Sequence, residues 1–97
     1  MRSYKLIFNG PGKAGEVPGG RNFPSLAGAL ATGWLIHINN GEVFRIESAP
    51  GVAVFDMGEL ARAFARLDAL EAERAEGDQL AWAGRVIREM GKDEATG

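Results

Sequence analysis

The run Gly10-Pro11-Gly12-Lys13-Ala14-Gly15 has the spacing GxGxxG and follows a short alternating apolar stretch. In a dinucleotide site that spacing lets backbone amides approach a pyrophosphate, and its last glycine opens a helix whose N-terminus faces the charge. Here Glu16-Val17-Pro18-Gly19-Gly20 comes next, a breaker-rich stretch in which no helix is expected to start. The phosphate-loop pattern fails too, because Ile7 stands where it needs Gly and Ala14 where it needs Ser or Thr. His37 is the only histidine and there is no cysteine, so a nitrogen and sulfur ligand set for a transition metal is missing. Ser3, Ser25 and Ser48 are the serines, and none sits in a nucleophile elbow. Glu42 and Glu47 form the kind of carboxylate pair that any solvated sheet face offers. With no catalytic constellation, the expectation is a protein that is not an enzyme and holds no cofactor.

Charge is concentrated elsewhere. Asp68, Glu71, Glu73, Glu76 and Asp78 lie close together with only Arg74 against them. Such a run is ordinarily a solvated face. The sharper reading is an acidic surface that occupies a basic, nucleic-acid-like site on another protein. Trp82 falls about 100° around its helix from the apolar side, next to the acidic run, where an exposed tryptophan marks an interface. Its alternative place is over Phe64 or Leu67 as core. These six residues, Asp68, Glu71, Glu73, Glu76, Asp78 and Trp82, are the candidate protein-binding set.

The 97 residues suit about one domain, and 45% hydrophobic with 25% charged is an ordinary globular balance. Net charge is −2 but uneven, with +3 on residues 1–46 and −5 on residues 47–97. The acidic half argues against a dedicated DNA-binding protein, although Lys5, Lys13, Arg21 and Arg45 spread across a sheet would be the basis of a nucleic-acid reading. No apolar run approaches the roughly 18–20 residues of a membrane span, and Met1 to Phe8 is too short and too polar for a signal peptide. The expected location is the cytoplasm, which the lack of cysteine fits.

Several elements must position the candidates. Ser3 to Phe8 alternates as a strand with Tyr4, Leu6 and Phe8 on one face. Residues 9–20 are expected to form a mobile Gly-rich loop, with a weak pairing around Glu16-Val17. Ser25 is an N-cap for a short helix stopping at Gly33. Trp34 to Asp56 then reads as an antiparallel meander of strands at 34–38, 42–48 and 52–56. A three-residue loop Asn39-Asn40-Gly41, with Gly41 left-handed, puts Trp34, Ile36, Phe44, Ile46, Ala53 and Phe55 on one face, Phe44 opposite Phe55 and Ile46 opposite Ala53. His37 would lie on the other face. The alternative is a longer helix to about Asn39, since Leu26, Leu30, Trp34 and Ile38 are spaced by four.

Met57 to Ala75 carries the stripe Leu60, Ala63, Phe64, Leu67 and Leu70 and should be a helix whose last turn projects into solvent. Gly77 reads as its C′ residue and Asp78 as the next N-cap. A last helix from Gln79 to Met90 has Leu80, Ala83, Val86, Ile87 and Met90 apolar and ends at Gly91. One unbroken helix over 58–90 is the alternative, with Gly77 and Gly84 each costing about 1 kcal/mol relative to Ala. Lys92 to Gly97 would be a disordered tail. The expected fold is α+β, a single domain over 1–91: an antiparallel sheet of three or four strands, one short helix, and a C-terminal helical hairpin over 57–91 packed on one face of the sheet.

The order YKLIF, Gly-rich loop, FPSLAGAL, GEVFRIES, GVAVFDMGELARAF is similar in style to small α/β proteins of phages and mobile elements, anti-CRISPR proteins among them. The matching residues are Ser25, Leu26 and Ala29 in the helix and Gly41, Val43, Arg45 and Ile46 in the strand. The likeness covers about the first 55 residues. It implies a cytoplasmic protein that binds a host protein complex, a CRISPR effector for instance, and blocks it. A small self-associating accessory or antitoxin-like protein is the second expectation, its homodimer seam made of Leu80, Val86, Ile87 and Met90.

Overall fold

The computed structural model describes residues 3–49 and 51–92. Elements follow in the order β1 (Tyr4–Asn9), β2 (Gly19–Phe23), α1 (Leu26–Ile38), β3 (Glu42–Ala49), β4 (Val52–Phe55), α2 (Met57–Ala72) and α3 (Gln79–Glu89). The sheet is antiparallel with order β2-β1-β3-β4. Leu6 of β1 pairs with Ile46 of β3, which pairs with Phe55 of β4, and all three are fully buried. This row is the floor of the core. α1 lies on β1, β2 and β3, α2 on β3 and β4, and α3 packs on α1 and α2. The α+β architecture with a C-terminal helical pair is as expected.

The largest difference lies at 34–38, which forms no strand. α1 runs through Gly33 to Ile38, the longer-helix alternative. Asn39-Asn40-Gly41 is a helix stop and not a hairpin loop. Asn40, not Gly41, is left-handed, at φ 68°. The Gly41 N–H donates to Ile36 O at 2.8 Å and the Asn40 N–H to His37 O at 3.2 Å, the paired bonds of a Schellman motif. Gly41 is required for close approach, since a Cβ there would stand 2.9 Å from Asn9 O and 3.0 Å from Ile36 O. Gly33 likewise lets α1 settle on the sheet, because a Cβ would meet Leu6 Cδ1 at 3.2 Å.

With 34–38 helical, β3 takes β1 as its neighbour. Phe44 is the extra residue where pairing shifts from Ile7–Arg45 to Phe8–Val43. Ile46 faces Phe55 in place of Phe44, and Ala53 faces Glu47. The slip at Phe55 is of two residues, so Ile46 and Phe55 stay on the buried side, while Ala53 is exposed. The turn joining these strands includes Pro50, outside the described residues.

β2 begins at Gly19, two residues beyond the anticipated pairing, so the Gly-rich connection shortens to 10–18. That loop is organised by two tight turns, Lys13 N–H to Gly10 O and Glu16 N–H to Lys13 O, each 3.1 Å. The buried Asn9 side chain ties it down through Nδ2–H to Glu16 O at 3.0 Å.

α2 and α3 are separate helices. α2 starts on a capping box: Asp56 Oδ1 accepts from the Glu59 N–H at 2.8 Å, and Glu59 Oε1 from the Asp56 N–H at 3.0 Å. It ends at Ala72, three residues early, with Arg74 and not Gly77 in the left-handed C′ position, φ 55°. Its closing bonds are Ala75 N–H to Leu70 O and Arg74 N–H to Glu71 O, both 3.0 Å. Asp78 caps α3 as expected, accepting from the Ala81 N–H at 3.0 Å. Gly91 ends α3, and Lys92 closes the motif by donating its N–H to Ile87 O at 2.9 Å. Lys92 therefore belongs to the fold and not to the tail; residues 93–97 of that tail lie outside the described residues.

Candidate functional site

The acidic run occupies the end of α2, the turn after it, and the start of α3. Its five carboxylates have different jobs. Asp68 Oδ1 accepts from the indole Nε1–H of the fully buried Trp34 at 2.9 Å, which binds α2 to α1. Asp78 is the α3 N-cap. Glu71, Glu73 and Glu76 are exposed, and among the described residues no donor reaches their carboxylates.

That distinguishes them from Glu47, Glu59 and Glu89 and groups them with Glu16 and Glu42, which are exposed and lie in no ion pair among the described residues. Glu47 is paired with Arg45 at 2.6 Å, Glu59 with Lys92 at 2.6 Å, and Glu89 with both Arg66 at 3.3 Å and Arg85 at 3.2 Å. The Lys92 ammonium and then the Asp56 backbone N–H hold the Glu59 carboxyl below its ordinary range. Arg66 does the same to Glu89, helped by Arg85. The end of α2 and the turn after it thus present three exposed carboxylates without a partner among the described residues, beside Arg74.

Trp82 is half-buried. Its ring meets Trp34 edge-on, centroids 6.4 Å apart and planes at 75°, and packs against the core with one side left to solvent. Its Nε1–H donates to Glu76 O at 3.0 Å, so the ring also fastens the acidic turn. The part of Trp82 that faces solvent is therefore fixed in place next to Glu76.

The expected homodimer seam is not available as a surface. Val86 and Ile87 are buried in the protein's own core and Met90 is half-buried against it, while Leu80 is 53% exposed. α3 packs on two helices at once, which buries Ala83, Val86 and Ile87 and leaves Leu80 outside.

The remaining candidates are scattered. His37 sits on the last turn of α1, exposed, its ring stacked on Phe64 at 4.9 Å and 21°. The element after the Gly-rich loop is the strand β2, so no helix N-terminus follows Gly15. Lys5 and Arg45 lie on adjacent strands, Arg45 already paired with Glu47, and Arg21 stacks over Phe23 at 5.1 Å. Among the described residues no group of three His, Cys, Asp or Glu is placed to hold a metal ion. No helix among them is long and apolar enough to cross a membrane.

Two features of the site were not anticipated. The Trp34–Asp68 bond joins positions with no local pattern between them. The Asp56–Glu59 capping box was legible, as an acid followed three residues later by Glu just ahead of an apolar stripe.

Comparison of the chain with protein-family models, with curated proteins and with solved structures yields no match.

Proposed function

We propose that this chain is a non-catalytic protein-binding module. In this reading it docks its acidic α2–α3 turn on a basic surface of a host nucleic-acid-handling complex, in the manner of the phage-encoded inhibitors that its first 55 residues resemble. The observation that carries the reading is the contrast between Glu71, Glu73 and Glu76, which are exposed and unpaired among the described residues, and the paired carboxylates of Glu47, Glu59 and Glu89. Unpaired charge on a fixed corner raises the local field, steers a basic partner, and needs no partner broken before docking. Fixing the corner through Trp82 and Glu76 lowers the ordering cost of binding.

The test is capture from a bacterial host lysate by the tagged full chain, beside a Glu71→Lys, Glu73→Lys, Glu76→Lys variant. The wild type should retain a stoichiometric nucleoprotein complex, displaced by a short single-stranded oligonucleotide, and the variant should not. Recovery of both proteins alone would leave the corner a solvated helix end and remove the proposal.

A further inference from the structure

One flank of α2 carries charge in a self-complementary order. Arg62, Arg66, Ala69 and Glu73 follow one another at spacings of four, three and four, so they form one line along the helix. The line flanks the buried stripe of Leu60, Ala63, Leu67 and Leu70 on the side that borders α3, to which Arg66 is tied through Glu89 at 3.3 Å. Its three charged residues are exposed and Ala69 is half-buried. Reversing its direction puts the acid where the first base stood.

Both ends of the line lack partners at short range. The ion pairs among the described residues involve neither Arg62 nor Glu73. Arg62 acts on Glu59 only as a more distant charge. Beside the basic half, an open groove of about 440 Å³ runs between α2 and α3, lined by Arg62, Ala65, Arg66, Glu89 and Met90. The hairpin is thus basic at the start of α2, where the end of α3 adds Arg85 and Arg88, and acidic at the turn.

We propose that this face binds a second copy of the same chain, with the two α2 helices antiparallel about a twofold axis between Arg66 and Ala69. Arg62 then meets Glu73 of the second copy, and symmetry makes the contact twice. The two charges are about 16 Å apart along each helix, at about 1.5 Å per residue, so both contacts form in one register. Arg66 falls beside Ala69, which is small enough to let the helices approach. A parallel arrangement would set like charges together. The proposal shares Glu73 with the docking corner but uses a different face and a different partner.

The experiment is sedimentation of the full chain over a concentration series, at about 0.05 M and about 0.5 M salt. Four proteins are compared: wild type, Arg62→Glu, Glu73→Arg, and the double exchange. All changes are at exposed positions, and circular dichroism checks that each variant is folded. The wild type should show a concentration-dependent dimer that weakens with salt. Each single change should weaken it by about tenfold or more, since two attractions become two repulsions, and the double exchange should restore it. A wild type that stays monomeric at low salt overturns the proposal, as does a dimer indifferent to the single changes or one that the double exchange fails to recover. Glu71→Lys with Glu76→Lys lies off the line and should leave the dimer intact while removing host docking. Arg62→Glu should do the converse, so the two readings fail separately.

Discussion

The Trp34 indole donates to Asp68 at 2.9 Å across 34 positions of sequence, and it is the polar link between α1 and α2. Trp34 is fully buried, and among the described residues Asp68 is the partner its N–H finds. A buried donor bonded to a charged group is worth roughly 1.5–3 kcal/mol. Asp68→Ala should therefore destabilise the fold by about that amount, while Asp68→Asn, which keeps an acceptor oxygen, should lose less. Urea unfolding followed by tryptophan fluorescence measures both. Equal stability of Asp68→Ala and wild type would mean that water replaces the carboxylate, and that Asp68 is as free as Glu71.

Val86→Glu separates a core role from a seam role. As part of a surface seam Val86 could be changed to Glu with loss of association alone. In the structure Val86 is fully buried in the apolar core, on a helix that packs against α1 and α2. Burying an unpaired charge is among the most costly single changes. The variant should lose its cooperative thermal transition and the dispersion of its amide proton spectrum. A folded monomer with an intact transition would return Val86 to the surface.

How much of this was legible depends on where each element finds its partner. α2 was readable because its apolar stripe lies within its own sequence. Trp34 to Ile38 was ambiguous because Asn39-Asn40-Gly41 suits both a hairpin turn and a helix stop: each needs a left-handed residue next to a glycine. The decision came from tertiary contacts, with Trp34 enclosed by helices and bonded to Asp68, which no local pattern contains. β2 was unreadable because Gly19-Gly20-Arg21-Asn22-Phe23 has no apolar alternation; it is a strand through backbone pairing with β1. In the acidic run, composition located the corner. It did not separate Asp68 and Asp78, which have structural work, from Glu71, Glu73 and Glu76.

Arg74 occupies the position at which α2 turns out of its helix, with φ 55°. A residue with a Cβ costs roughly 1 kcal/mol there relative to glycine, part of which glycine gives back through a more flexible unfolded chain. Arg74→Gly should raise stability by about 0.5–1 kcal/mol. It also removes the only base inside the acidic run, so if the corner docks a basic partner, binding should tighten. Calorimetry reads the first effect and the salt dependence of host capture the second. A loss of stability would show that the Arg74 side chain makes a contribution larger than its backbone strain.

The Glu59–Lys92 pair, 2.6 Å apart, ties the end of α3 to the start of α2, and Lys92 also lies over the Phe55 ring at 5.3 Å. Lys92 holds the Glu59 carboxyl below its ordinary value of 4.5 in the folded chain. The folded state therefore binds fewer protons than the unfolded state as pH falls through that value. By linkage the pair's contribution is complete above the unfolded value and is lost as pH drops through it to the folded one. Glu89, lowered by Arg66 and then Arg85, adds a slope of the same sign. Glu59→Gln keeps an oxygen to accept from the Asp56 N–H, so the capping box survives while the charge is removed. This variant should be less stable than wild type at pH 7, and the two urea-unfolding curves should converge as pH is lowered below about 4.5. Curves that stay parallel from pH 7 to pH 3 would show that the ion pair forms without stabilising the fold, as many exposed pairs do.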